Sequence, residues 1–278
     1  MAAAILALLG AASWGVGDFF GGLAARRVHV LTVLVTSQAV GLVGAAVWVM
    51  ASLESPPDAV HLLPAAGAGA CGAIGLAALY RGMAVGAMGI VAPISAAGPV
   101  VPLAVDSTRG VSPSPYQWLG IAAVLGGIVL LARDAEAGRT PKLASGVALA
   151  LVAAASFGLF IVGLDAGADE SVAWTILVAR GTSTAFALVL ALAVSVGIRP
   201  PGRLFPAIVA IGLFDTTANL LVAFATTVGS AGVVAVLSAL YPVATIVLAR
   251  VVLGERLDKS RRLGGALALG GAAVVAAG

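Results

Sequence analysis

The sequence predicts an all-α integral membrane protein with ten transmembrane helices, built as two inverted repeats of five helices. The first observation behind this prediction is composition, since 61% of the 278 residues are hydrophobic and only 10% are charged. A soluble domain has roughly a quarter of its residues charged, so the bilayer has to be the solvent for most of this surface. The other two observations are a series of long apolar runs and a set of motifs that recur in the second half of the chain.

Ten apolar runs are long enough to cross about 30 Å of hydrocarbon at a helical rise of about 1.5 Å per residue. Only helices satisfy their own backbone polar groups in lipid, and the strand-like alternation of polar and apolar residues is absent. The fifth and tenth runs are short, so their ends are less sharply defined. The runs lie near residues 2–25, 30–53, 60–80, 87–106, 116–132, 143–164, 172–197, 204–225, 230–253 and 262–277.

The first run is short and alanine-rich, like a signal peptide, but no basic segment precedes it and its apolar character continues to residue 25. We therefore interpret it as the first membrane helix. Short, turn-like segments rich in proline separate later runs, and they include residues 54–58, 112–115 and 199–203. The longest polar stretch, residues 133–142, predicts a linker between two repeats that cover residues 1–135 and 143–278.

The repeats are visible as a constant offset of 143 positions. This offset superposes the segment at 13–15 on that at 156–158, and Pro99 on Pro242. Since each copy holds an odd number of helices, the two copies should cross the membrane in opposite senses, as in many alternating-access proteins. Near the ends the offset becomes 144 and pairs the glycines of the fifth and tenth runs: Gly120, Gly126 and Gly127 with Gly264, Gly270 and Gly271.

The distribution of charge supports inversion. All 15 basic residues except Arg109 and Arg180 lie in or beside connections that follow odd-numbered runs. By the positive-inside rule these connections are cytoplasmic, which places both termini outside. The basic residues form no contiguous stripe, so nucleic acid is not an expected partner.

Several kinds of chemistry find no support in the sequence. One cysteine, Cys71, and two histidines give no disulfide framework and no metal-ligand set. The GxGxxG at 67–72 lies inside an apolar run with no strand before it, so it favours helix packing over dinucleotide binding. No catalytic constellation and no phosphate-binding loop is present, so we expect neither an enzyme nor a resident cofactor.

Three ionisable residues lie deep within apolar runs, where each costs roughly 2.5 to 3.5 kcal/mol at the bilayer centre unless it faces protein or water. They are Asp18, Arg180 and Asp215. We hypothesise a staggered polar path in which Asp215 is the central acceptor for a proton or a cationic group, with Asn219 one turn away. Asp18 and Arg180 would line the two approaches. The alternative is that these charges form fixed structural pairs.

Prolines and aromatic residues accompany these charges. Pro99 and Pro242 remove backbone donors at matching positions, which predicts kinks in the fourth and ninth helices beside a cavity. Trp14, Tyr80 and Tyr241 could stack on a substrate, although aromatic residues at membrane depth more often serve packing or anchoring.

A family resemblance follows from these motifs. The segments at 13–15, 238–242 and 253–257 resemble the EamA domains of the drug/metabolite transporter superfamily, and the resemblance covers the whole chain. It implies a ten-helix permease with two EamA domains in a bacterial cytoplasmic membrane, often an exporter of metabolites or amino acids. The first copy departs from the pattern, with Val111 where the second has Glu255.

The sequence therefore predicts a secondary transporter that exports a small metabolite or amino-acid-like solute by alternating access, with protons as the candidate coupling ion. The expected partners are the lipid bilayer and the small-molecule substrate. A non-transporting structural or enzymatic membrane subunit remains the alternative. Substrate flux into or out of lipid vesicles distinguishes the two.

Overall fold

The apolar runs fold as helices in the computed structural model, which describes residues 1–25, 27–85, 94–132, 143–253 and 259–277. No strand occurs in this part of the chain, so the all-α prediction is confirmed for it. Short 3₁₀ turns at Ala59–Leu62 and Gly202–Leu204 lead into two of the helices. The helices are α1 (Ala2–Ala25), α2 (Val30–Ser52), α3 (Leu63–Val85), α4 (Val100–Thr108), α5 (Pro115–Ala132), α6 (Leu143–Ala168), α7 (Val172–Ala193), α8 (Phe205–Thr227), α9 (Ala231–Ser238), α10 (Tyr241–Leu253) and α11 (Lys259–Ala277).

The prediction of ten membrane spans is confirmed only in part. Among the described residues, six stretches are long and apolar enough to cross a membrane, namely Ala2–Gly21, Val30–Ser52, Ala59–Leu79, Ala148–Ala168, Val172–Ala193 and Gly202–Thr227. Three shorter apolar stretches correspond to the fifth, ninth and tenth predicted runs: Pro115–Leu130, Ala231–Ala244 and Arg262–Ala277. The fourth run falls partly outside the described residues, and the ninth is divided between α9 and α10.

Side chains at the helix starts satisfy backbone N–H groups that have no partner inside the helix. The hydroxyl of Ser171 accepts from the backbone N–H of Trp174 at 3.2 Å and begins α7. At α5, the backbone N–H of Ser114 donates to the Gln117 side chain at 2.9 Å, and the Ser114 hydroxyl accepts from the Gln117 N–H at 3.2 Å. This reciprocal pair is a capping box and fixes the first turn of α5.

The fourth and ninth runs are interrupted at matching positions. Residues 96–99 form a turn before α4, and residues 239–240 separate α9 from α10. Pro99 and Pro242 lie at the start of the segment that follows each turn, where a residue without an N–H is tolerated. The predicted kink in the ninth helix is therefore a full interruption, and in the fourth run the described residues show a turn directly before α4.

Most of the interhelical packing joins the two repeats. Helix α1 packs along α8, and α3 packs along α6. Each of these contacts joins the first helix of one repeat to the third helix of the other. Helix α2 packs against α7, and α5 against α11, so that each helix of these two pairs meets its own counterpart. The two copies are thus intertwined and bury much of their apolar surface against one another.

Glycines set the close approach of α5 and α11. A Cβ on Gly120 would lie 2.7 Å from the carbonyl oxygen of Gly271, and a Cβ on Gly127 would lie 2.6 Å from that of Gly264. Later residues of α5 therefore contact earlier residues of α11, so the two helices run antiparallel. Only glycine allows backbones to approach this closely.

The GxGxxG has a packing role at two of its three glycines. A Cβ on Gly69 would lie 2.2 Å from the carbonyl oxygen of Ala179, and one on Gly72 would lie 3.1 Å from the Phe160 ring. Nothing lies within 4 Å of the corresponding position on Gly67. The linker at 133–142 and Glu255 lie outside the described residues.

Candidate functional site

A cavity of about 140 Å³ lies between the repeats, where both interrupted helices meet the long ones. Ser95, Ala96, Gly98 and Pro99 of the first interruption line it. The second interruption contributes Ala235 and Ser238 of α9, together with Ala239 and Tyr241. The rest of the lining comes from α1, α2, α3, α6, α7 and α8: Trp14, Asp18, Gln38, Gly69, Gly72, Leu76, Leu79, Phe157, Phe160, Ile161, Ala179, Arg180, Ser183, Asp215 and Asn219. The cavity is therefore built from helices of both repeats.

An ion pair forms one side of the cavity. Nη1 of Arg180 in α7 lies 2.5 Å from Oδ2 of Asp215 in α8. The Arg180 side chain is 3% exposed and that of Asp215 is 28% exposed, so water screens the pair only from the carboxylate side. The same nitrogen donates to the side-chain oxygen of Gln38 in α2, which also accepts from the Ser183 hydroxyl at 3.4 Å. Three helices are thereby joined at one guanidinium.

This pair bears on the hypothesis drawn from the sequence. Asp215 was placed at the centre of a staggered path with Arg180 on one approach, and the structure shows the two residues in direct contact, as in the alternative of fixed structural pairs. Position along a helix gives the depth of a side chain, but it does not show which neighbour the side chain turns towards. The rotations of α7 and α8 bring the two charges together.

Trp14 completes the surroundings of Asp215. Its indole N–H donates to Oδ1 of Asp215 at 3.1 Å and to the side-chain oxygen of Asn219 at 3.0 Å. One residue earlier, the hydroxyl of Ser13 donates to the backbone carbonyl of Phe214 at 2.7 Å. Both carboxylate oxygens of Asp215 are thus engaged, one by Arg180 and the other by Trp14, and α1 is fastened to α8.

Asp18 lies one turn beyond Trp14 and lines the same cavity. It interacts electrostatically with Asp215 and with Tyr241. Within the described part of the chain, no basic side chain forms a salt bridge with it. The two carboxylates and one guanidinium that line the cavity carry a formal sum of one negative charge when all are ionised.

Part of the cavity lining is apolar and aromatic. Phe157 lies against Gly75 of α3, where a Cβ would come within 2.8 Å of the ring. Phe160 lies against Gly72 in the same way and is 6.4 Å from the Trp14 ring, measured between centroids. The glycines of α3 thus make room for two rings that face the polar side.

The structure brings most of the predicted site residues to one place. Asp215, Asp18, Arg180, Asn219, Trp14 and Tyr241 all line the cavity, as does Pro99. Pro242 follows Tyr241 at the second interruption. Tyr80 lies in α3, and its side chain is outside the described part.

Sequence reasoning missed two polar residues. Gln38 is neutral and so gave no signal of a costly buried charge, although it is 7% exposed and binds Arg180. Asp106 lies near the end of α4 and was not counted among the deep charges, yet it is 5% exposed. Its carboxylate accepts from the backbone N–H of Gly232 at 2.7 Å, in the first turn of α9, where a negative charge is favourable. Its place at the end of the fourth apolar run was the available signal.

Other polar contacts between the repeats lie near the helix ends. Arg109, after α4, pairs with Asp165 of α6 at 3.1 Å. The indole of Trp174 donates to the backbone carbonyl of Glu54 at 3.1 Å, and the Ser171 hydroxyl donates to the Glu54 side chain. No group of three or more potential metal ligands occurs among the residues that the structure describes.

These features define a multi-pass membrane protein with a small, charged cavity between two structural repeats. The model of the EamA-like transporter family matches residues 1–133 and again residues 144–277. The chain therefore belongs to the EamA-like transporter family, and the resemblance noted from the sequence is confirmed.

A comparison with solved structures supports the fold. A crystal structure of a protein, given no further description, superposes with a TM-score of 0.79 at 18% sequence identity. The match covers 98% of this chain and 95% of that one. No curated protein matches the chain in sequence. At this level of identity the likeness shows the fold alone.

Proposed function

We propose that this chain is a secondary transporter that exports a small metabolite or amino-acid-like solute by alternating access, in exchange for protons. The observation that carries the proposal is the charged cavity enclosed between two repeats and bordered by two interrupted helices. Interrupted helices at a repeat interface are where transporters of several folds bind substrate. No phosphate-binding loop is found in the sequence, so a gradient is the proposed source of energy.

The proposal treats residues 1–135 and 143–278 as two inverted units. Support comes from the antiparallel packing of α5 and α11, which are the last helices of the two family matches. If equivalent helices run in opposite directions, the repeats cross the membrane in opposite senses. Rocking of one unit against the other would then open the cavity alternately to each side.

The proposal includes a location and an orientation, which the family and the charge distribution support. We place the chain in a bacterial cytoplasmic membrane with both termini outside, because the basic connections follow odd-numbered spans. Ten spans are proposed, with the fourth and ninth interrupted.

A second candidate function is a structural membrane subunit without transport. One observation favours it: the Arg180–Asp215 pair, fastened by Gln38 and Trp14, has the form of a fixed link between helices. Under that interpretation the cavity is incidental.

Flux measurements distinguish the two candidates. Purified protein in lipid vesicles would be loaded with a mixture of cellular metabolites, and efflux would be followed by mass spectrometry with and without an imposed pH gradient. The matched variants are Ala239→Phe, which fills the cavity, and Ala12→Phe, which adds the same ring on an exposed face of α1. We expect efflux of at least one solute from wild type and Ala12→Phe and its loss in Ala239→Phe. No efflux in any sample above that of protein-free vesicles would favour the structural subunit. Equal efflux in all three samples above that level would contradict the cavity as the path of the solute.

A further inference from the structure

The charges of the cavity indicate what kind of solute it accepts. Arg180 is already neutralised by Asp215, and the second oxygen of Asp215 accepts from Trp14. The carboxylate of Asp18 has no salt bridge to a basic side chain within the described residues. A carboxylate in a site of low dielectric is stabilised by a positive charge placed close to it. A solute that balances the charge of this cavity therefore carries a single positive charge.

An anion has no comparable place to bind. Nε and Nη2 of Arg180 are fully enclosed and find no hydrogen-bond partner among the described residues. Nε lies on the side of Gly41, since a Cβ on Gly41 would be 3.5 Å from it. Because both nitrogens are enclosed, a carboxylate could reach them only if Arg180 moved from its place beside Asp215. Such a separation would leave buried charges uncompensated.

The apolar part of the cavity lining fits an apolar body. Phe157 and Phe160 present their rings from α6, and Leu76 and Leu79 line the cavity from α3. Aromatic faces also attract cations, so a positive group beside an apolar body meets favourable partners on both sides. The volume of about 140 Å³ restricts the solute to a small molecule.

We propose that the cavity binds a small amphipathic amine in its positively charged form, with the ammonium group at Asp18 and the apolar body against Phe157 and Phe160. This inference rests on the proposed function, because it names the class of solute carried by the same cavity. It also assigns separate roles to the two carboxylates: Asp18 binds the solute, and Asp215 fixes Arg180.

Four probes of similar shape and different charge test the assignment. They are 2-phenylethylamine, the neutral 2-phenylethanol, the anionic 3-phenylpropanoate and the zwitterionic phenylalanine. Binding to the purified full chain would be measured by calorimetry, and uptake of each labelled probe would be measured in lipid vesicles. We expect the amine to bind and to be carried, with affinity at least about tenfold higher than that of each other probe.

Variants of Asp18 separate the effect of its charge on binding from the effect of its shape. Asp18→Asn keeps the shape of the side chain and should weaken amine binding by about tenfold or more, whereas Asp18→Glu should retain it. Asp58→Asn makes the same chemical change on an exposed connection and should behave as wild type. If Asp18→Asn does not fold, the comparison of the amine with the alcohol on wild type still decides the question.

The outcomes distinguish the two proposals. Binding or flux of the alcohol, the anion or the zwitterion that equals that of the amine overturns the assignment of the solute class and leaves transport standing. Amine binding that depends on Asp18 but produces no flux supports the site and overturns the proposed function. Absence of both binding and flux for the amine overturns the inference.

Discussion

Arg180 holds its charge inside the bundle through a small number of contacts. Its partner Asp215 neutralises it, and the amide oxygen of Gln38 shares the same nitrogen. Replacement of a buried pair by apolar groups is often neutral, but removal of one member leaves the other charge without compensation. The two residues should therefore be more sensitive to single substitution than to joint substitution.

We expect Asp215→Asn to lower the free energy of unfolding by about 3 kcal/mol, because the guanidinium of Arg180 then keeps its charge without a counterion. Arg180→Gln should have a similar effect through the stranded carboxylate. The double variant Arg180→Gln/Asp215→Asn should recover part of the loss. Thermal unfolding in detergent checks this, and additive losses in the double variant would contradict the coupling of the pair.

Gly41 provides the second prediction at the level of single residues. A Cβ at this position would lie 2.2 Å from the hydroxyl of Thr216 and 3.4 Å from Cδ of Arg180. Gly41→Ala should therefore lower the stability by about 1–3 kcal/mol through overpacking. Gly44→Ala, one turn along the same helix with nothing within 4 Å, is the matched control and should be neutral or slightly stabilising. Equal melting temperatures of the two variants would contradict the close approach of α2 to α8.

At the level of elements, the antiparallel pair of α5 and α11 depends on its glycines. Gly127→Ala would bring a Cβ within 2.5 Å of the backbone nitrogen of Ala268, whereas at Gly126 the nearest atom is 3.9 Å away. We expect Gly127→Ala to destabilise the protein by about 1–3 kcal/mol and Gly126→Ala to have little effect. Unfolding of the two variants in the same detergent provides the comparison, and a larger loss in Gly126→Ala would refute this packing.

The fourth and ninth helices show which features of a helix can be predicted from its sequence. Proline positions predicted where the fourth and ninth helices depart from regular geometry, because a residue without an N–H cannot continue the backbone ladder. They did not predict that the ninth helix would divide into separate segments beside the cavity. That outcome depends on packing against α1, α6 and α8, which a one-dimensional pattern does not contain.

In the candidate site, the charged residues could be predicted from sequence, but their partners could not. Asp18, Arg180 and Asp215 were identified because the cost of burying a charge depends only on its place in an apolar run. Their partners could not be predicted, since these depend on the rotation of each helix about its axis. Gln38 was missed because it is neutral and Asp106 because it lies near a helix end, and both lie at contacts between the repeats.

For the whole molecule, the charge distribution predicts which connections share a side of the membrane. The segment after α2 and the segment before α8 should face opposite sides, the former outside and the latter in the cytoplasm. Cys71 is the only cysteine, so Cys71→Ser provides a background without thiols. In that background Ser55→Cys should react with an impermeant maleimide added to intact cells, whereas Gly202→Cys should react only after the membrane is opened. The reverse pattern would invert the proposed orientation, and reaction of both in intact cells would contradict the span count between them.

The position of Arg180 between Gln38 and Asp215 has a consequence for biosynthesis. Translation delivers α2 first, then α7, and α8 only afterwards, so the guanidinium enters the bilayer before the carboxylate that neutralises it. During that interval the amide of Gln38 is already in place and can accept from the arginine. A neutral side chain in the second helix thus serves as a provisional partner for a charge in the seventh. Gln38→Leu should consequently reduce the yield of inserted protein more than it reduces the stability of the finished bundle.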